Sequence, residues 1–143
     1  MEYREKLEVL RKYRSAVKLA KYYQEEVKQY RATQEQAAVQ KIDDMPHAHG
    51  NHSDLSDYIV KLEEMTEKMY TQLIKAQSIR DNIFLWCESL ANVDERLIIR
   101  YAFILDHKTG WIADEMHYSE RTVRRKLRKA IEHLPDPDFD VVV

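Results

Sequence analysis

Between residues 55 and 90 the apolar positions follow one another in alternating steps of four and three: Leu55, Ile59, Leu62, Thr66, Met69, Leu73, Ala76, Arg80, Ile83, Cys87 and Leu90. Such a spacing is a heptad seam on a long helix, with Thr66 and Arg80 as its polar members. A helix of that length spans roughly 50 Å, and a seam this long needs apolar cover. The preceding segment predicts another helix, from about Tyr3 to Gln36, with Leu7, Leu10, Val17, Ala20, Val27 and Tyr30 spaced alternately three and seven residues apart. Tyr13, Tyr22 and Tyr23 spread its apolar surface around the cylinder. Residues 1–90 are therefore expected to form a helical hairpin or coiled coil with a linker at about 38–54. The first helix can fold back on the seam, a second copy of the chain can face it, or both. A hairpin that also forms a homodimer is the expectation, with Leu55, Ile59, Leu62, Met69, Leu73 and Ile83 as candidate association residues.

The pattern changes after residue 90. Val93 to Leu105 predicts a helix with Leu97, Ile98, Tyr101, Ile104 and Leu105 on its apolar side. Thr109 is placed to cap a short helix carrying Ile112, Ala113 and Met116, and His117-Tyr118 supplies a turn. Ser119 then caps a second helix whose inward stripe is Val123, Leu127, Ala130, Ile131 and Leu134. At about 100° per residue, Arg121, Arg125 and Arg128 fall opposite that stripe, with Thr122 and Lys129 beside them. A helix buried on one side and offering guanidinium groups on the other fits the major groove of DNA. The expected fold class is all-α: a long N-terminal helical region, a small helix-turn-helix domain over 91–134, and an acidic flexible tail over 135–143. Thr109, Tyr118, Ser119, Arg121, Thr122, Arg124, Arg125, Arg128 and Lys129 are the candidate DNA-binding residues. Arg121 and Arg125 are best placed for base edges, and Arg128 and Lys129 for phosphates.

Charge supports this only when divided along the chain. The net charge of the 143 residues is −2, which by itself argues against a polyanion partner. Residues 119–134 hold six Lys/Arg against two Glu, a local +4, while residues 1–118 carry −3 and the tail another −3. The positive field is confined to one helix.

The segment DERLIIRYAF followed by TGWIADEMHYSERTVRRKLRKAIEHL resembles region 4 of bacterial sigma factors, the part that reads a promoter element. The helical N-terminal half, the linker IDDMPHAHGNHSD at 42–54 and this C-terminal module together resemble the RinA/ArpU-type late-gene transcriptional regulators of Gram-positive bacteriophages and prophages. The resemblance is strong over 93–134 and loose over 1–90. It implies a phage or prophage late-gene activator that binds double-stranded promoter DNA and works with the host RNA polymerase in the bacterial cytoplasm. It equally admits a protein-interaction module, holding the polymerase or a regulatory protein partner through the same fold without reading DNA. One departure stands out: many such turns have Gly where this chain has His117, a position that often needs φ > 0.

Other chemistry finds little support. With only two glycines no phosphate-cradling loop can be built. The single cysteine, Cys87, lies on a packing stripe, where it reads as a small buried hydrophobe of a reducing cytoplasm rather than a nucleophile. Neither an enzyme nor a cofactor is expected. The linker packs His47, His49 and His52 into six residues beside Asp43 and Asp44, a ligand set that zinc or nickel accepts. Pro46 and Gly50 make that stretch a turn, so a metal site there is the weaker alternative. MEYREKLEVL lacks a signal peptide's apolar stretch and no 18-residue apolar run occurs, so no membrane association is expected. Pro135 and Pro137 prevent the last helix from continuing, leaving the tail free, folded toward the arginine face, or docked on a partner through Phe139.

Overall fold

Residues 1–43 and 52–139 are described by the computed structural model, with side chains for 1–37 and 55–139. Among them the chain forms five α-helices, one π-helical turn and no strand. Helix α1 is Tyr3–Asp43 and α2 is His52–Glu88; α3, Val93–Ile99, runs into the π-helical segment Arg100–Ile104, and α4 (Thr109–Met116) and α5 (Glu120–His133) follow. Both long helices reach further into the expected linker than their apolar periodicity does. The run Gln36-Ala37-Ala38-Val39-Gln40 contains good helix formers and no breaker, so propensity carries α1 past its last stripe residue. No helix among the described residues is long and apolar enough to cross a membrane.

Contacts divide the chain into two compact units, one of residues 1–16 with 75–143 and one of residues 17–74. The division does not follow the boundary expected near residue 90, because the ends of the long helices are core elements of the first unit. There Leu10, Ile83 and Cys87 are fully buried together with Ile98, Ile99, Ile112, Ala130 and Ile131. Val9, Trp86 and Leu90 complete that core. Ile83 was expected to serve association; at 0% exposure inside its own chain's core it cannot meet a second copy.

Asn92 caps α3, its side-chain oxygen accepting from the N–H groups of Asp94 (2.9 Å) and Glu95 (3.3 Å). The two carboxylates sit in the first turn, where the helix dipole favours negative charge. The expected straight helix to Leu105 is interrupted by the π-helical turn. The buried residues become Ile98, Ile99, Ala102 and Phe103, whereas Leu105 is 54% exposed. The segment ends at Asp106 in the left-handed region (φ 56°), a conformation that Asp tolerates better than most residues. Arg14 of α1 locks this end, donating to the carbonyl of Ala102 (2.9 Å) and pairing with Asp106 (2.9 Å).

Residues 135–139 touch the rest of the first unit at three points. Trp86 Nε1 donates to the carbonyl of Pro135 (2.8 Å), and Phe139 meets the Trp86 ring edge-on at 5.8 Å. Asp136 pairs with the N-terminal ammonium of Met1 at 2.7 Å. Hydrogen bonding to that ammonium holds the Asp136 carboxyl below its usual range.

In the second unit α1 and α2 pack through Tyr30, which stacks on Tyr58 (5.4 Å between ring centres) and lies beneath the ammonium of Lys61 at 5.1 Å. Ala20 and Val27 are buried, and Leu62, Met69 and Leu73 are half-buried. Leu55 and Ile59 remain largely exposed, at 57% and 45%.

Candidate nucleic-acid interface

Two short helices and the turn between them build the candidate surface. The residue before α4 is Lys108, with no side-chain acceptor for the helix's first N–H groups. Thr109 is thus the first helical residue and not the expected cap. The turn is made by His117 in the left-handed region (φ 59°, ψ 43°), and the N–H of Tyr118 returns to the carbonyl of Ala113 (3.0 Å). The positive φ expected at this position is present, occupied by His instead of Gly.

Ser119 caps α5 as expected, its hydroxyl oxygen accepting from the N–H of Thr122 (3.1 Å) while donating to Thr122 Oγ1 (2.8 Å). The Ser119 hydroxyl is therefore committed to the cap, whereas Thr122 keeps its own O–H proton to donate. Val123, Ala130 and Ile131 are buried and Leu127 is half-buried, so the predicted inward stripe is the observed one.

The cations of α5 fall into distinct groups. Arg124 pairs with Glu120 (3.3 Å) and Arg128 with Glu132 (3.2 Å), each four residues apart. Arg128 also lies over the Tyr3 ring at 5.2 Å. Lys126 stands 4.0 Å from Asp94 and over the Tyr118 ring at 4.7 Å. Arg121, Arg125 and Lys129 are exposed and have no ion-pair partner among the described residues. They lie on the side of α5 opposite its buried stripe.

Tyr118 is placed differently from expectation. Its hydroxyl donates to Asp94 Oδ2 (2.6 Å), which ties the turn to the start of α3 and leaves the group occupied. On the same flank, His133 Nδ1 lies 2.7 Å from Glu95 Oε1. Arg125, Lys126, Lys129 and His133 face Asn92, Asp94 and Glu95 across a recess of about 270 Å³. The sequence does not signal these pairs, since the partners are 24 and 38 residues apart.

On the other flank Tyr3, Leu7, Arg11 and Arg14 of α1 line a groove of about 540 Å³ together with Lys108, Thr109 and Leu127, among others. His107, another lining residue, stacks on Trp111 at 3.5 Å, and Tyr101 meets the same indole edge-on at 5.2 Å. Trp111 is 41% exposed.

His47 and His49 lie outside the described residues, as does the side chain of His52. Among the described residues no three His, Cys, Asp or Glu side chains converge to hold a metal ion. No family model, curated protein or solved structure matches this chain.

Proposed function

We propose that this chain is a non-enzymatic, sequence-specific DNA-binding regulator of transcription, in which α4 and α5 act as a helix-turn-helix of the sigma region 4 type and α5 enters the major groove. The observation that carries this reading is the row Arg121, Arg125 and Lys129, exposed, opposite the buried stripe and free of ion pairs among the described residues. Six cations against two carboxylates over 119–134 concentrate the field there. A guanidinium offers two parallel donors that match guanine O6 and N7, worth roughly 1–3 kcal/mol of discrimination per pair. By resemblance, the setting is a bacteriophage or prophage late operon, activated together with the host RNA polymerase in the cytoplasm.

The test is selection of bound duplexes from a random-sequence pool, followed by affinity measurements on the selected and scrambled duplexes. Arg125→Ala should relax preference at one base pair, whereas Lys129→Ala should weaken all sequences alike. If Arg121→Ala and Arg125→Ala both leave affinity and preference unchanged, α5 is not the reader.

A second reading, a protein-interaction module for the polymerase or a regulatory partner, is favoured by the exposed Trp111 stacked on His107 and by exposed Leu105. Aromatic anchors of this kind dominate protein interfaces. Binding to duplexes that appears only when polymerase is added would select this reading. We also propose association into a homodimer through the exposed end of the seam at Leu55 and Ile59. Light scattering of wild type and Ile59→Glu checks it, and a wild type monomeric at tens of micromolar overturns it.

A further inference from the structure

We infer that the DNA contact extends beyond α4 and α5 onto the first helix of the chain, where Arg11 together with Lys108 receives a backbone phosphate. This inference rests on the DNA-binding reading above and adds to it a contact that the C-terminal segment by itself does not contain.

Three observations carry it. First, Arg11 and Lys108 come from positions 97 residues apart and line the same groove, beside Arg14, whose charge is already matched by Asp106. Arg11 and Lys108 are exposed and have no ion-pair partner among the described residues. Arg11, Arg14 and Lys108 against Asp106 give the Lys, Arg and Asp side chains of the groove a balance of +2. Second, the groove adjoins the proposed reading helix. Leu127 and Ile131 of α5 form part of its wall, and Tyr3 on its α1 side lies under the guanidinium of Arg128. Third, the placement is rigid. Lys6 is bonded to the end of α5 and Arg14 to the carbonyl of Ala102, so both ends of this stretch of α1 are held. Thr109 and the uncapped start of α4 border the same groove, and their N–H groups add donors of the right polarity.

The chemistry favours the sugar-phosphate backbone. A helix seated in the major groove is flanked by phosphates on both sides, and basic side chains beside it fix register without reading bases. Lys and Arg with no internal partner can neutralise a phosphate and release its counterions.

The experiment compares full-length chains on one scrambled duplex at several salt concentrations. Each phosphate contact contributes about 0.9 to the slope of log affinity against log salt. The double variant Arg11→Gln/Lys108→Gln should lower that slope by about 1 and weaken binding by about tenfold near 0.1 M salt. Base preference on the selected duplex should be unchanged. The exposed pair Lys68→Gln/Lys75→Gln, neither of which lines the groove, removes the same charge and should leave the slope unaltered. Circular dichroism melts confirm that each variant is folded. A normal slope in Arg11→Gln/Lys108→Gln, with binding lost in Arg121→Ala/Arg125→Ala, overturns the α1 contact while the DNA reading stands. An equal fall in the Lys68/Lys75 pair shows general charge loss and overturns it too. A wild type that binds no duplex removes the DNA reading itself, and this contact with it.

Discussion

Lys6 and Leu134 are joined across 128 residues: the Lys6 ammonium donates to the Leu134 carbonyl, and at 3.1 Å to that of Glu132. Lys6 is only 8% exposed, so the first helix of the chain caps the last one from within the core. The final carbonyls of α5 have no partners within the helix and would otherwise need water. Replacing Lys6 by Met keeps the side-chain volume and removes the donors. The expected cost is about 1–3 kcal/mol, the penalty for leaving buried acceptors unsatisfied. Urea unfolding should show a lower midpoint with an unchanged slope. An unaltered midpoint would mean that solvent already serves these carbonyls.

A fragment of residues 91–143 contains every residue of the predicted helix-turn-helix and tail, yet it lacks Leu10, Ile83, Trp86 and Cys87. These four belong to the same buried cluster as Ile98, Ile112 and Ile131. Each large apolar side chain is worth roughly 1.5–3 kcal/mol when fully buried, against a total stability of about 5–15 kcal/mol for an ordinary domain. The fragment is expected to melt without a cooperative transition, whereas the full chain unfolds cooperatively. A sharp transition from the fragment would show that the ends of α1 and α2 are dispensable.

His117 holds a left-handed backbone at φ 59°. That region costs a side-chain-bearing residue roughly 1–2 kcal/mol, partly recovered for polar residues, and costs glycine almost nothing. His117→Gly should raise stability by about 0.5–1 kcal/mol after its own entropic penalty, and His117→Val should lower it by more than 1 kcal/mol. Paired thermal melts decide this. A stabilising valine would be incompatible with the turn geometry.

Burial pushes the Cys87 thiol from its ordinary 9.0 up to about 12, with Arg100 opposing the shift only partly. The folded thiol stays neutral where the unfolded one ionises. Its contribution is therefore fully present below pH 9 and is lost progressively as pH rises toward 12, by at most about 1.4 kcal/mol per pH unit. Two measurements follow. Reaction with a disulfide reagent at pH 8 should proceed only through unfolding, and Cys87→Ala should flatten the fall in stability between pH 9 and pH 10.5. Rapid stoichiometric labelling of the folded chain at pH 8 would contradict the burial.

Much of the architecture is written in local periodicity. The seam of α2, the inward stripe of α5 and the Ser119 cap are readable because each depends on residues within a turn or two of one another, whereas the positive φ at His117 was expected only from the resemblance. The arginine row is readable for the same reason, since a helix converts spacing directly into direction. The extension of α1 to Asp43 was missed because propensity, not amphipathicity, carries it. The π-helical turn at Arg100–Ile104 was missed because an added residue per turn leaves no compositional mark.

The sequence by itself determined the helical class, the two long helices, the turn and the cationic face of α5. Helical spacing already sets Arg124 beside Glu120 and Arg128 beside Glu132, each four residues apart, but the tertiary structure alone decided the fate of the other cations. Glu120 and Glu132 occupy Arg124 and Arg128, Asp94 approaches Lys126 and holds Tyr118, and Arg121, Arg125 and Lys129 are left open to solvent. It also decided that residues 1–16 and 75–90 share a core with 91–139, which puts Arg11 and Lys108 on one groove. The physical reason is separation along the chain. Backbone geometry fixes directions over a few residues, but pairing across tens of residues depends on how whole helices pack, and no local spacing encodes that.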